Sequence, residues 1–412
     1  MINISYLKKK YNLISKLIKF RKKKYLKKIK IILLLHEKSL ILIKEINIFN
    51  IFLKKNIKQK KKIIYIYKIY KKKYLYINKK INNLLKSLPN IPNKNFYNYK
   101  NYKKNIIIYN NIYIYKKYKK KYNHIILGEK YKILDFKISS INIGRGFFTY
   151  INKGARLHNS LINFLLEENI KKKYIEFVFP YLITKNCLYG TGQIPNKKKQ
   201  LYKIYKKNYY LIPTGEVPLI NFYKNTIISS NNLPIKNTTY TSCFRKETGH
   251  YGIKNKGLKR LHQFDKVEIT MITNHKSNVF LKKMMIHIKN TLLKLNIPFR
   301  IIRLSAKKLN YTSNLTYDFE IYSLVQKKWF EISSLSNCDI YQSNRLNIKF
   351  SKNKKTFLCH TLNGSNLSIP RLIMIILENN QYEKFIKIPN ILYKFTSFKK
   401  IKKKNEKYYN YK

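Results

Sequence analysis

In the first quarter of the chain, apolar and aromatic residues recur in steps of four and three. Tyr70, Tyr74, Ile77, Ile81, Leu84 and Leu88 trace one seam with the spacing of a heptad helix. Leu26, Ile29, Leu33, Leu40 and Ile43 trace another, with His36 inside it. Residues 54–62, KKNIKQKKK, are polar and read as a turn between the two. No Pro precedes Pro89 and no Gly precedes Gly128, so neither breaker interrupts this region. The pattern predicts an antiparallel helical hairpin, each arm about 30 residues and roughly 45 Å long. A competing pattern stands beside it. Residues 63–70, IIYIYKIY, also alternate as a strand would, and β-branched and aromatic residues abound.

Residues 87–93, SLPNIPN, end the second helix. Residues 94–123 form a polar, tyrosine-rich connector with a strand expected at 106–115. From His124 to about Lys400, Gly, Pro, Asp and Glu appear, and short strand-like runs alternate with helical ones. That is an α+β body. The lysine- and tyrosine-rich end, from Lys399 to Lys412, is expected to fray. The division is a helical arm over 1–100, a folded body over 101–400 and a basic tail over 401–412.

Charge changes this picture less than its size suggests. The 412 residues include 88 Lys and Arg against 18 Asp and Glu, a net charge of +70. Only nine of the basic residues are Arg, and Ala occurs only at Ala155 and Ala306. The favoured residues Lys, Ile, Asn, Tyr and Phe all have A/T-rich codons, so base composition explains much of the basicity. A field this positive still attracts polyanions, with strong salt dependence. Cys187, Cys243, Cys338 and Cys359 are scattered without metal-ligand or disulfide spacing. The N-terminus lacks a signal-peptide core, and the longest apolar runs, such as 31–35, fall far short of the ~20 residues of a membrane helix. A reducing, cytoplasmic setting with no membrane is the expectation.

The chemistry concentrates in residues 241–269, TSCFRKETGHYGIKNKGLKRLHQFDKVEI. Two strands are expected to flank a basic, glycine-punctuated loop. On a strand, residues two or four apart share a face, which pairs Arg245 with Glu247 and Phe264 with Glu268. Guanidinium, carboxylate and aromatic plane together suit phosphate, amine and nucleobase.

With these residues the chain resembles the seryl-tRNA synthetases, class II enzymes of the bacterial and organellar type. LGEKYKILDF (127–136) and KGARLHNSLINF (153–164) look like the entry to that family's catalytic domain. FVFPYLI (177–183), with Pro180, is similar to its motif 1 at a dimer interface, and residues 241–269 are similar to motif 2. YGTGQIPN (189–196), LIPTGEVPLINFY (211–223) and FEISSLSNCDIYQSNRLNIKF (330–350) are close to family signatures. HTLNGSNLSIPRLIMIILENNQ (360–381) matches motif 3. The serial order of these blocks is far more specific than any one of them.

The resemblance implies a class II domain on a central antiparallel sheet flanked by helices. It implies ligation of L-serine to serine tRNA through a seryl-adenylate, with ATP as substrate and Mg2+ as cofactor. The carboxylate nucleophile is already anionic, so the site needs cations and alignment rather than a base. By resemblance Arg245, Glu331 and Arg371 are catalytic. Arg245, Lys246, Glu247, Phe264, Glu331, Ile332, Ser333, Ser334 and Arg371 bind ATP, Phe264 stacking on adenine, and Glu331 and Ser334 hold magnesium. Thr214, Gly215, Glu216, Glu268 and Ser365 surround serine, with Thr214 and Glu216 expected on one strand face. A site that hydrogen-bonds the substrate hydroxyl rejects alanine and glycine by about 10⁴-fold.

Gly215 stands where the family usually has Ala and is expected to matter little. Pro370 stands where Gly is common, acceptable if a helix begins there. The family's hairpin lies along the long variable arm of serine tRNA, and Lys58, Lys60, Lys61 and Lys62 suit its phosphates. A homodimer follows from the resemblance, with selenocysteine tRNA a further candidate partner. Two alternatives stand: a class II synthetase for another amino acid such as threonine or proline, and a synthetase-like RNA-binding protein without catalysis.

Overall fold

The computed structural model describes residues 4–54, 60–97, 104–112, 121–247 and 257–403. The chain divides into two compact units, Met1–Lys103 with Ser305–Asn314, and Lys104–Leu304 with Leu315–Lys412.

In the first unit α1 (Ile4–Lys9) and α2 (Tyr11–Arg21) precede the long helices α3 (Lys24–Lys54) and α4 (Lys60–Lys86). Residues 63–70 are helical within α4, so the hairpin prevails over the strand reading. Both helices run into the expected turn, of which residues 55–59 lie outside the described part. The seam on α4 falls as expected, with Ile81 and Leu88 fully buried. The seam on α3 is shifted. Ile29, Ile32, Ser39 and Ile46 are its buried positions, whereas Leu40 is exposed. His36 and Ser39 occupy heptad positions, so a search for apolar residues drifts to neighbouring leucines. Leu7, Ile14 and Ile18 of α1 and α2 close the base of the hairpin in one cluster with Ile29, Ile32, Ile81 and Leu85. The segment 305–314 belongs to this unit. The Arg21 guanidinium donates to the carbonyls of Leu309, Asn310 and Ser313, and Asn90 donates to those of Tyr311 and Thr312.

The second unit is built on eight strands: β1 (Ile106–Asn110), β2 (Ile175–Phe177), β3 (Ile235–Phe244), β4 (Gln263–Thr273), β5 (Phe299–Arg303), β6 (Leu315–Ser323), β7 (Lys328–Asp339) and β8 (His360–Ser368). They lie in the order β1-β5-β6-β7-β8-β4-β3-β2. Every pairing is antiparallel except the edge pair β2 and β3, which is parallel. The first strand ends at Asn110, short of the expected 106–115, and residues 113–120 lie outside the described part.

Register assigns the two faces. Ile269 lies beside Gly364, which lies beside Leu335, and Phe319 lies beside Ile301. Ile269, Leu335, Phe319 and Ile301 belong to the main core. Three helices cover this face: α5 (Lys153–Ile170) through Leu157, Leu161 and Phe164, α6 (Ser277–Lys294) through Leu281, Met284 and Ile288, and α7 (Ile369–Asn379) through Leu372 to Leu377. The alternate residues turn to the other face, and there the sequence is polar: Thr239 opposite Glu268, Thr241 opposite Lys266, and Ser365 opposite Glu268. One dry face and one polar face is what an antiparallel sheet permits.

The expected frayed tail is ordered at its start. Lys400–Lys402 pairs with Phe385–Lys387, burying Ile401 beside Ile386. Residues 404–412 lie outside the described part. Among the described residues no helix is long and apolar enough to cross a membrane.

Candidate active site

The polar face of β4 gives the site its floor. Phe264, Lys266 and Glu268 are two apart on an unbroken strand and point together. Glu268 is buried, and one oxygen, Oε1, takes both the Thr214 hydroxyl and the Lys266 ammonium. Among the described residues its Oε2 has no partner. Lys266 Nζ also lies 3.4 Å from Thr214 Oγ1.

Thr214 and Glu216 are not on a strand face, contrary to expectation. The strand Tyr209–Leu211 ends before them, and Gly215 caps the short helix Glu216–Asn221. Pro218 inside the first turn of that helix is compatible with it, whereas a continuing strand would leave the sheet without its N–H. Glu216 is buried and accepts from Gln342 Nε2 at 2.6 Å. Thr361 Oγ1 donates to Gln342 Oε1 at 2.7 Å, which fixes that amide's orientation. Burial raises the Glu216 carboxyl above the usual range, opposed by the Gln342 bond and reinforced by nearby Glu268.

Gly215 also corrects the sequence reading. A Cβ there would sit 2.8 Å from Thr239 Cγ2, 3.0 Å from Thr241 Oγ1 and 3.3 Å from Glu268 Cγ. The position is a close approach of backbone to the sheet floor, not a neutral one.

On the other side, Arg245 follows the last residue of β3, its N–H donating to His262 O at 2.8 Å. Its Nε donates to Pro213 O at 3.2 Å, and its guanidinium lies 5.0 Å from the Phe264 ring centroid. The expected pairing of Arg245 with Glu247 on one strand face does not occur, because β3 has ended. Glu247 takes a left-handed backbone, φ 44°, and its carboxylate pairs with Arg260. Lys246 is exposed and its amine lies 5.7 Å from the Tyr202 ring centroid, so its side chain leaves the group. Residues 248–256, the expected basic loop, lie outside the described part.

Residues 331–334 divide by side-chain direction. A bulge in β7 leaves Glu320 opposite Glu331 but Phe319 opposite Ser333. The extra residue puts Glu331 and Ser334, three apart, on the same polar face; without it they would face opposite ways. Ile332 is instead buried in the core, and Ser333 Oγ donates to Ser365 O, so neither side chain reaches the polar face. Arg371 lies in the first turn of α7, where Pro370 also stands, as a helix start allows. Its guanidinium donates to the carbonyls of Glu331 and Lys259.

These groups act on one another. Burial lowers Arg371, with Glu331, Arg245, Glu247 and Arg260 all close enough to contribute. Lys197, absent from the sequence reading, is lowered to about 8 by burial and then by Arg245, with Glu216, Lys266 and Glu331 also acting on it. Arg245, Glu268, Glu331 and Arg371 therefore line one region instead of scattering over separate surfaces. Lys266 was legible, since it alternates with Phe264 and Glu268. Arg260 was legible as one of nine arginines. Lys197 carried no local signal, and within the 330–350 block no spacing singled out Gln342.

Glu331 is exposed, and its carboxylate makes no ion pair among the described residues. With Ser334 on the same face it fits the shell of magnesium, which takes one or two protein oxygens and otherwise water and phosphate. Among the described residues no cluster of three His, Cys, Asp or Glu could hold a metal ion unaided.

Known proteins share this fold and much of this sequence. The tRNA synthetase class II core domain (G, H, P, S and T) matches residues 202–380. The serine-tRNA ligase of Wigglesworthia glossinidia brevipalpis is 39% identical over 333 residues, 78% of each chain. That of Methylacidiphilum infernorum is 41% identical over 263 residues, 63% of this chain and 62% of the relative's length. A crystal structure of seryl-tRNA synthetase from Pyrococcus horikoshii complexed with ATP superposes with a TM-score of 0.90 at 26% identity, covering 98% of this chain and 100% of that one. On sequence, fold and the gathered side chains together, the chain belongs to the serine-tRNA ligase family of class II aminoacyl-tRNA synthetases.

Proposed function

We propose that the chain activates L-serine with ATP and transfers the seryl group to serine tRNA. In the first step a serine carboxylate oxygen bonds to the α-phosphorus, and the bond to the bridging oxygen of pyrophosphate breaks. Two anions must approach, so the barrier is largely electrostatic. Arg245 sits where its fork can hold carboxylate and α-phosphate together. Arg371 stands on the far side, its guanidinium aimed by the Glu331 and Lys259 carbonyls. Lys197 and Lys266 add positive charge at the floor. Magnesium, bound with the nucleotide, would be held by Glu331 and Ser334 and would neutralise phosphate charge.

The amino acid pocket lies between Thr214, Glu216 and Glu268, with Ser365 opposite Glu268. Buried carboxylates suit an ammonium. The open Oε2 of Glu268 suits the substrate hydroxyl, and leaving it unmet is what excludes alanine. The observation that carries the reading is the shared face of Glu268, Lys266 and Phe264 with Arg245, Glu331 and Arg371 around it. ATP–pyrophosphate exchange across the amino acids tests it. Exchange with serine alone is expected. Exchange with threonine would reassign the substrate, and exchange with none would favour an RNA-binding protein without catalysis.

The assembly is a homodimer in this reading. The edge strand β2 and the residue after it expose Ile175 and Val178 (89% accessible), and exposed Phe222, which caps the helix Glu216–Asn221, lies against Phe177 of the stacked Phe177–Phe179 pair. An apolar sheet edge of this kind calls for a covering partner. The 1–100 arm is the tRNA-binding part. Lys61 and Lys62 are exposed near its tip and suit phosphates, while Lys58 lies outside the described residues.

A further inference from the structure

His124 lies outside the group of residues that the proposed reaction uses, yet it is buried at 1% accessibility beside Glu378 at 0%. Its ring Nδ1 meets Glu378 Oε1 at 2.7 Å, and its backbone N–H donates to the same oxygen at 3.1 Å. Gln326 donates there too, at 2.7 Å, and Ser323 Oγ donates to Oε2. On the far side of the ring, the Leu258 N–H donates to Nε2 at 3.1 Å. These partners fix the tautomer: Nδ1 carries the proton and Nε2 accepts. The approach is close. Gly257 has φ +76°, and a Cβ there would fall 2.1 Å from His124 Nε2. Only glycine lets the ring reach that backbone.

The segment so held is the one that the nucleotide side uses. Lys259 O accepts from Arg371 at 3.4 Å, and the Arg260 side chain pairs with Glu247. Arg371 and Glu378 are seven residues apart on α7 and so share a helix face. Each grips residues 257–260, Arg371 directly and Glu378 through His124.

We propose that His124 is a positioning residue for the nucleotide half of the site: its Nε2 holds the Leu258 amide while its backbone N–H and Nδ1 anchor it on the fixed Glu378 carboxylate, and so it aligns Lys259 with Arg371 and Arg260 with Glu247. This rests on the reading of that half as an ATP site. Two near-isosteres separate the links. The amide nitrogen of Asn replaces Nδ1, and the amide oxygen of Gln replaces Nε2. His124→Asn keeps the Glu378 bond and loses the Leu258 bond; His124→Gln does the reverse.

In pyrophosphate exchange, H124N should raise the KM for ATP about tenfold, the effect of one lost bond of about 1.4 kcal/mol. H124Q should stay within about twofold, because the residue-124 backbone N–H still anchors it on Glu378 while its amide oxygen keeps the Leu258 bond, and the KM for serine should move less than about twofold in both. Hydrogen exchange of the peptide spanning 257–261 should quicken in H124N and not in H124Q. Equal ATP defects in the two variants, or unchanged exchange in H124N, would overturn the proposal. If the wild-type chain activates no amino acid, the ATP reading fails. The exchange contrast between the two variants then decides by itself whether the clamp exists.

Discussion

Replacing Gly215 by alanine returns this position to the residue that the family resemblance leads one to expect, and the structure says that this chain will resist it. The new Cβ meets Thr239 Cγ2 at 2.8 Å and Thr241 Oγ1 at 3.0 Å, distances at which something must shift. Overpacking of this kind costs about 1–3 kcal/mol. The Gly215 backbone is right-handed helical, φ −64°, so alanine restricts the unfolded chain and recovers about 0.4–1 kcal/mol. A net loss of roughly 0–2.6 kcal/mol, about 1 at the middle, follows from the two magnitudes. Because Glu268 Cγ is the third neighbour, at 3.3 Å, the KM for serine should rise as well. Thr239→Ser removes the offending methyl and leaves the hydroxyl, which donates to Phe177 O at 2.6 Å. In the double variant one carbon has moved from residue 239 to residue 215. Volume-conserving exchanges of this kind cost less than about 1.5 kcal/mol, so stability and serine KM should both recover. Denaturant midpoints and exchange kinetics on the four members of the cycle provide the measurement. If G215A is as stable as the wild type with an unchanged serine KM, or if the two substitutions simply add, the close-approach argument is wrong.

Arg245→Ala should reduce pyrophosphate exchange by about 10²–10³-fold while its sedimentation matches that of the wild type; near-normal exchange would remove Arg245 from the reaction. Lys197, with its pKa near 8, loses its charge just above neutrality. The value of kcat/KM for ATP should therefore fall as pH rises through about 8, and Lys197→Met should lack that inflection. The stability counterpart has the opposite sign. The native amine is lowered from 10.5 to about 8, so between those values the unfolded chain binds more protons. The stability difference between wild type and K197M should shift in favour of the wild type as pH rises through that window. Truncating the arm at 38–75 with a glycine linker spares the cluster around Ile29, Ile32, Ile81 and Leu85. Serine activation should persist while tRNA charging is lost; equal loss of both would contradict the division of labour.

The strands and helices that carry the site were legible because alternation and seam are properties of neighbouring residues. Glu268 and Phe264 could be paired from spacing alone, and so could Lys266. Where the reading failed, a break in periodicity was responsible. Thr214 and Glu216 were read as strand because the residues before them are strand, yet the chain turns into a helix between them. Arg245 and Glu247 were paired on a strand that ends at Phe244. The α3 seam drifted to Leu40 because His36 and Ser39 occupy heptad positions that an apolar search skips. Lys197 reaches the site from a segment remote in sequence that no periodicity announces, and within the 330–350 block no spacing singles out Gln342.

The bulge in β7 shows why motif and geometry are separate facts. A sequence block can name Glu331, Ile332, Ser333 and Ser334 as one unit, but alternation would put Glu331 and Ser334 on opposite faces. The inserted residue reverses that outcome for this pair and sends Ile332 into the core. The same economy governs charge. Of the 18 acidic residues in a chain with 88 basic ones, Glu216, Glu247, Glu268 and Glu331 lie around the site. Elsewhere in the chain carboxylates such as Glu167 and Glu37 pair with exposed lysines. Here two are held by specific buried donors, Gln342 and the Thr214–Lys266 pair, and one by Arg260 at the clamp. Three carboxylates of the proposed site are thus met by specific buried groups and by Arg260, not by the exposed lysines that the base composition supplies.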